Sequence, residues 1–206
     1  MNDGRGRDMG QLAIAVGVVA AGSAVCLATF YAVRGPFGTI NDIGNAATGV
    51  LSGLLAWRLR GQLSGSSGAV VGSALVGAAI AVVGSALVVS ETTGFFLAGL
   101  VSGVGFAGIG VWLVALNRSA FAVAAWPARI RALGVAAGVL MAFGVLSVPG
   151  IVLRLDDMAT APGWVWLGFV GWFGTFVVYP AWAIWLGVAE ARRADLAVQS
   201  PLTPTA

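Results

Sequence analysis

Apolar residues in this chain run on for about twenty positions at a time, and they do so six times, with short polar or glycine-containing breaks between the runs. The runs cover roughly 12 to 33, 39 to 57, 69 to 89, 95 to 116, 132 to 153 and 164 to 188. A helix rising 1.5 Å per residue needs about 20 residues to cross ~30 Å of hydrocarbon, so each run is long enough to be a span. None alternates as a barrel strand does, and a helix satisfies its own backbone hydrogen bonds in lipid. The pattern predicts an all-α polytopic membrane protein, a six-transmembrane-helix bundle over 12–190. A cytoplasmic N-terminal segment, 1–11, precedes it, and a C-terminal tail, 191–206, follows and is expected to lack order.

Composition agrees with that class. Apolar residues make up 59% of the chain and charged residues 9%, against roughly 25% charge in soluble domains. Nearly the whole chain is used by spans, which leaves no soluble domain. The first run follows Arg5 and Arg7 as a signal peptide would, yet it exceeds the core length of such signals and is read as a retained span.

Assigning the connections alternately to two sides puts Arg5, Arg7, Arg58, Arg60, Arg118, Arg129, Arg131, Arg192 and Arg193 together. Short cytoplasmic loops are enriched in Arg and Lys, so this side is predicted to be cytoplasmic, with both termini on it, in a cell (inner) membrane. The other side holds Arg34 and Arg154 with Asp42, Glu91, Asp156 and Asp157. The net charge is only +3, and the arginines fall at loop ends rather than on one face, which argues against a nucleic-acid partner. Trp57, Trp126, Trp182 and Trp185 are expected near the inner interface, and Tyr31, Trp164 and Trp166 near the outer one, with Trp172 at mid-depth. The run Ala120 to Trp126 before Pro127 predicts a short interfacial helix.

Gly49/Gly53, Gly68/Gly72, Gly99/Gly103 and Gly134/Gly138 share the four-residue spacing that lets helices approach closely. Gly105, Gly108 and Gly110 add to span four, which is expected to sit centrally. Three spans on each side of the 90–94 loop give the parity of an inverted repeat, without residue-level similarity between the halves. Pro180 in span six and Pro149 in span five predict bends, since proline removes a helical hydrogen bond.

Span two alone carries a coherent polar stripe. At 100° per residue, Asn41, Asp42, Asn45, Thr48, Gly49, Ser52, Gly53 and Ala56 fall within about 140° of arc. Ile43, Val50, Leu51, Leu54 and Leu55 are assigned to the opposite side. Unpaired amides in hydrocarbon cost several kcal/mol, so the stripe must meet protein or water. One reading is a pocket open to the outer side, lined by Asn41, Asp42, Asn45, Thr48 and Ser52 with Arg34 and Glu91, under a rim of Arg154, Asp156 and Asp157. The other is packing: Thr39 and Asp42 match a capping box, the deeper polar groups can bond to neighbouring helices, and loop carboxylates are ordinarily solvated. Ser90 to Thr93 resemble helix-start chemistry for span four.

Several chemistries are absent. There is no histidine or lysine, and the single cysteine, Cys26, cannot form an internal disulfide. No metal site or cofactor is expected. Gly103, Gly105 and Gly108 spell G-x-G-x-x-G, but inside a span with no preceding strand. The leading expectation is handling of a small solute or ion through the outward-facing pocket. Two alternatives stand beside it: an accessory or scaffold protein packing as a homo-oligomer or with a membrane complex, and an enzyme on lipid-like substrates at the outer interface with Asp42 or Glu91 as acid or base.

Overall fold

The computed structural model describes residues 3–63 and 67–199, and these are helical throughout apart from short connections, with no strand among them. Helix α1 spans Asp3–Val33, α2 Phe37–Leu59, α3 Ser67–Val89, α4 Phe95–Arg118 and the short α5 Ala120–Ala125. Helix α6, Ala128–Ala142, passes through a 3-10 turn, Phe143–Ser147, into α7, Val148–Val152. After the 153–162 connection come a 3-10 turn, Gly163–Gly168, then α8, Phe169–Phe173, a π turn, Gly174–Val178, and α9, Tyr179–Gln199.

Five stretches are long and apolar enough to cross a bilayer: Gly6–Val33, Gly68–Val89, Phe95–Arg118, Ala128–Val152 and Gly163–Leu196. The chain is a multi-pass membrane protein, and its surface is apolar in keeping with that. Val18, Val25, Val76, Val83 and Val177 are exposed, whereas Thr48, Ser52, Asn117 and Thr175 are buried. The remaining predicted span folds as α2. At 1.5 Å per residue its 23 residues reach about 34 Å; Asn41, Asp42 and Asn45 keep it less apolar than the other five.

The long helices form a ring. Helix α1 packs on α2 and α9, α2 on α3, α3 on α4 and α4 on α6, while α6 returns to the π turn and α9. Of the five apolar stretches, α4 is the most buried. Glycines set the closest approaches: a Cβ on Gly105 would lie 2.6 Å from Gly77 O, and one on Gly138 would lie 2.6 Å from Gly110 O. The pair Gly68/Gly72 does not act this way, because a Cβ at either would meet nothing within 4 Å; the spacing is right but no helix faces it.

The two ends of the bundle differ in charge. Arg7 reaches Asp195 at 2.7 Å, and the residues of the 58–62 and 117–131 segments gather at the same end, which we call the arginine-rich end. The side chain of Arg5 lies outside the described residues. At the opposite end Asp156 reaches Gly94, and Phe30 touches Phe95 with ring centroids 5.5 Å apart.

Several expectations need correction. The N-terminal segment is no separate unit, since α1 begins at Asp3. Residues 191–199 of the expected unordered tail continue α9, where Ala194 is buried and Asp195 pairs with Arg7; 200–206 lie outside the described residues. Trp57, Trp185, Tyr31, Trp164 and Trp166 are exposed, but Trp126 and Trp182 are buried, their indole N–H groups donating to Glu190 and Asn117. The expected short helix before Pro127 is α5, which Ser119 caps by accepting from the Ala122 N–H at 3.1 Å. Pro180 is accommodated by the π turn immediately before it, and Thr175 donates to Gly171 O at 3.0 Å.

Candidate functional site

The polar stripe of α2 faces inward. All eight of its positions are buried, while Ile43, Val50 and Leu54 are exposed. Leu55 departs from its assigned side and is fully buried, because it stands about 20° from the edge of the stripe. The helix begins at Phe37, after Pro36, with no side-chain cap. Asp42 therefore lies in the second turn, and the capping-box reading with Thr39 is not realised.

Three different neighbours meet the stripe. From α1, Ser23 Oγ stands 2.9 Å from Asn41 O and 3.0 Å from both Asn41 Oδ1 and Asn45 Oδ1. From α3, Ala78 and Ala81 cover Gly49 and Gly53. From α9, the Tyr179 hydroxyl lies 2.8 Å from Ser52 Oγ, which is itself 2.6 Å from Thr48 O. Thr48 donates to Gly44 O at 2.8 Å. Thr48 and Ser52 are thus committed to internal bonds, and neither lines the cavity beside Asp42.

Asn41, Asp42 and Asn45 do line one. It lies between α2 and α4, with Ser102 and Phe106 of α4 and Trp172 and Thr175 of the last segment in its walls, and holds about 380 Å³ of space between atoms, its open mouth included. The room open to the centre of a water molecule is only about 20 Å³. One water or a small ion fits such a volume. Asp42 is 8% exposed, and its one side-chain hydrogen bond among the described residues comes from Asn41 Nδ2 at 3.4 Å. No arginine lines the cavity, and neither ion pair among the described residues involves Asp42.

The rim residues lie elsewhere. Arg34, Glu91 and Arg154 are exposed, stand outside the cavity wall, and are the non-glycine residues with positive φ among those described (59°, 55° and 52°). Glu91 and Arg154 end their helices in the left-handed position. The N–H of the following residue reaches back to Leu87 O and Gly150 O, each at 3.0 Å, the bonding pattern of a Schellman stop. Asp156 is a cap: its carboxylate accepts from the Gly94 N–H at 2.6 Å and the Leu97 N–H at 3.1 Å, giving α4 the oxygen that Gly94 lacks. A Cβ on residue 94 would sit 2.7 Å from Asp156 Cγ, so a side chain there would displace the carboxylate from this position. Asp157 caps its own 3-10 turn through the Ala159 N–H at 2.9 Å. The helix-start chemistry expected of Ser90 to Thr93 is thus supplied by a residue 62 positions downstream, and Asp42 and Glu91 are not brought together.

Residues that single-span periodicity does not single out complete the interior. Ser23, Ser102 and Thr175 are isolated polar positions in apolar runs, and only their shared mid-span depth hints at contact. Towards the arginine-rich end, Asn117 Oδ1 accepts from Trp182 Nε1 at 3.2 Å, and buried Glu190 accepts from Trp126 Nε1 at 2.8 Å and from Arg193 at 3.2 Å. Among the described residues no three His, Cys, Asp or Glu side chains come together. The chain matches no protein-family model, no curated protein and no solved structure.

Proposed function

We propose that this protein crosses the inner membrane six times, with both termini in the cytosol, and takes a small ion into the cavity beside Asp42. The observation that carries the reading is a buried carboxylate facing a cavity with no cationic partner among the described residues. An uncompensated charge in a low-dielectric interior costs several kcal/mol, so a proton or a monovalent cation is the natural complement. So small a volume favours an ion over a larger solute. The distribution of arginine supports the orientation.

Proteoliposomes carrying a proton, sodium or potassium gradient test this. Wild-type protein is expected to dissipate one of the three, and Asp42→Asn, shown by circular dichroism to melt as wild type does, is expected to lose most of that flux. Absence of all three fluxes, or equal flux in Asp42→Asn, defeats the reading.

A second reading is favoured by the commitment of Thr48 and Ser52 to internal bonds: the stripe is then chiefly glue, and the protein packs with itself or a larger membrane complex. A stoichiometric partner, or a defined oligomer, retained through purification in mild detergent supports it; a monomer with ion flux counts against it.

A further inference from the structure

A long open groove runs down the lipid-facing surface between α4 and α6, and it shares no residue with the Asp42 cavity. At the arginine-rich end it is headed by Arg118, from the last turn of α4, and Arg131, from the first turn of α6. Below them its floor is made of small residues, Ala132, Val135, Ala136 and Val139, which recur on one face of α6. Past Val139 it continues between Val111, Val114, Phe143 and Leu146. From Arg131 to Leu146 the groove follows about 22 Å of helix, more than the roughly 15 Å depth of hydrocarbon in one leaflet.

Its head is built for an anion. No Asp or Glu lines any part of the groove, and neither Arg118 nor Arg131 joins an ion pair among the described residues. Arg131 Nε is shielded from solvent and has no hydrogen-bond partner. Helix α6 starts after Pro127 with no side-chain cap, and its first residue, Ala128, lines the head of the groove, so the positive end of its dipole lies there, while the Ile130 and Arg131 N–H groups bond to Pro127 O. We propose that this groove is a binding site for an anionic phospholipid of the arginine-rich leaflet, with the phosphate held between Arg118 and Arg131 and an acyl chain laid along Val135, Val139 and Phe143. A basic notch between helices at the interface, continued by an apolar trough, is the form such sites take.

The full chain in nanodiscs of equal phosphatidylglycerol and phosphatidylcholine, released for native mass spectrometry, tests this. Wild type is expected to retain phosphatidylglycerol in preference, about five-fold for each arginine engaged. Arg118→Gln with Arg131→Gln should erase the preference, Arg118→Lys with Arg131→Lys should keep much of it, and Val139→Trp should lower retention of both lipids by filling the trough. Excess inorganic phosphate should not displace the lipid, because it cannot replace the acyl chain. Equal retention of the two lipids by wild type, a preference that survives loss of both arginines, displacement by phosphate alone, or a second copy of the chain seated on this face would each overturn the assignment.

Discussion

Ser52 Oγ and the hydroxyl of Tyr179 stand 2.8 Å apart, tying the middle of α2 to the start of α9 across 127 positions of sequence. Both groups are buried, and Ser52 also reaches Thr48 O. Hydrogen bonds between membrane helices average about 0.6 kcal/mol and reach about 1.7 kcal/mol. A double-mutant cycle with Ser52→Ala and Tyr179→Phe, read by unfolding in detergent, should return a coupling in that range. A coupling of zero would mean that the two side chains do not bond.

Glycine positions separate by contact rather than by spacing. Gly105→Ala places a methyl 2.6 Å from Gly77 O and should cost about 1–3 kcal/mol through overpacking. Gly72→Ala meets nothing within 4 Å and should stabilise by up to about 1 kcal/mol through helix propensity. Melting temperatures of the two variants should move in opposite directions.

Asp156 holds two N–H groups at the start of α4. Asp156→Ala should destabilise by about 0.5–2 kcal/mol, as loss of a cap does, with Asp156→Asn closer to wild type. Hydrogen exchange at Gly94 and Leu97 should rise in the alanine variant, and unchanged exchange there would contradict the assignment.

Removal of the Glu190 carboxyl leaves the buried indole of Trp126 without an acceptor. Glu190→Ala should cost about 1–3 kcal/mol, whereas Glu190→Gln retains an acceptor and should cost less. Equal losses in the two variants would place the energy in the Arg193 contact instead.

The long helices were legible because hydrocarbon demands continuous apolar runs, but the start of α1 and the end of α9 were not, since both helices continue through charged residues beyond the apolar run. The inward direction of the α2 stripe followed from the 100° periodicity, which puts Asn41, Asn45 and Ser52 on one line. What those residues meet did not follow: Ser23 and Tyr179 lie on other helices, and nothing local encodes the pairing. Asp42 resembled a cap because Thr39 precedes it by three, yet Pro36 starts the helix early enough to carry Asp42 into the second turn. The true cap of α4 was hidden by the 62 residues between Asp156 and Gly94. Gly68/Gly72 and Gly49/Gly53 share one spacing, and only the facing helix distinguishes them.

The first helix has its longest packing partner in the last one: Arg7 meets Asp195, and Gly10 and Gly187 lie backbone to backbone. At 5–20 residues per second a ribosome needs on the order of 10–40 s to bridge those 188 positions, and for that interval the Gly10/Gly17 side of α1 has no final mate. The ring of helices therefore closes only once α9 has been made. A chain cut short before Tyr179 lacks this mate, and the glycine side of α1 stays uncovered.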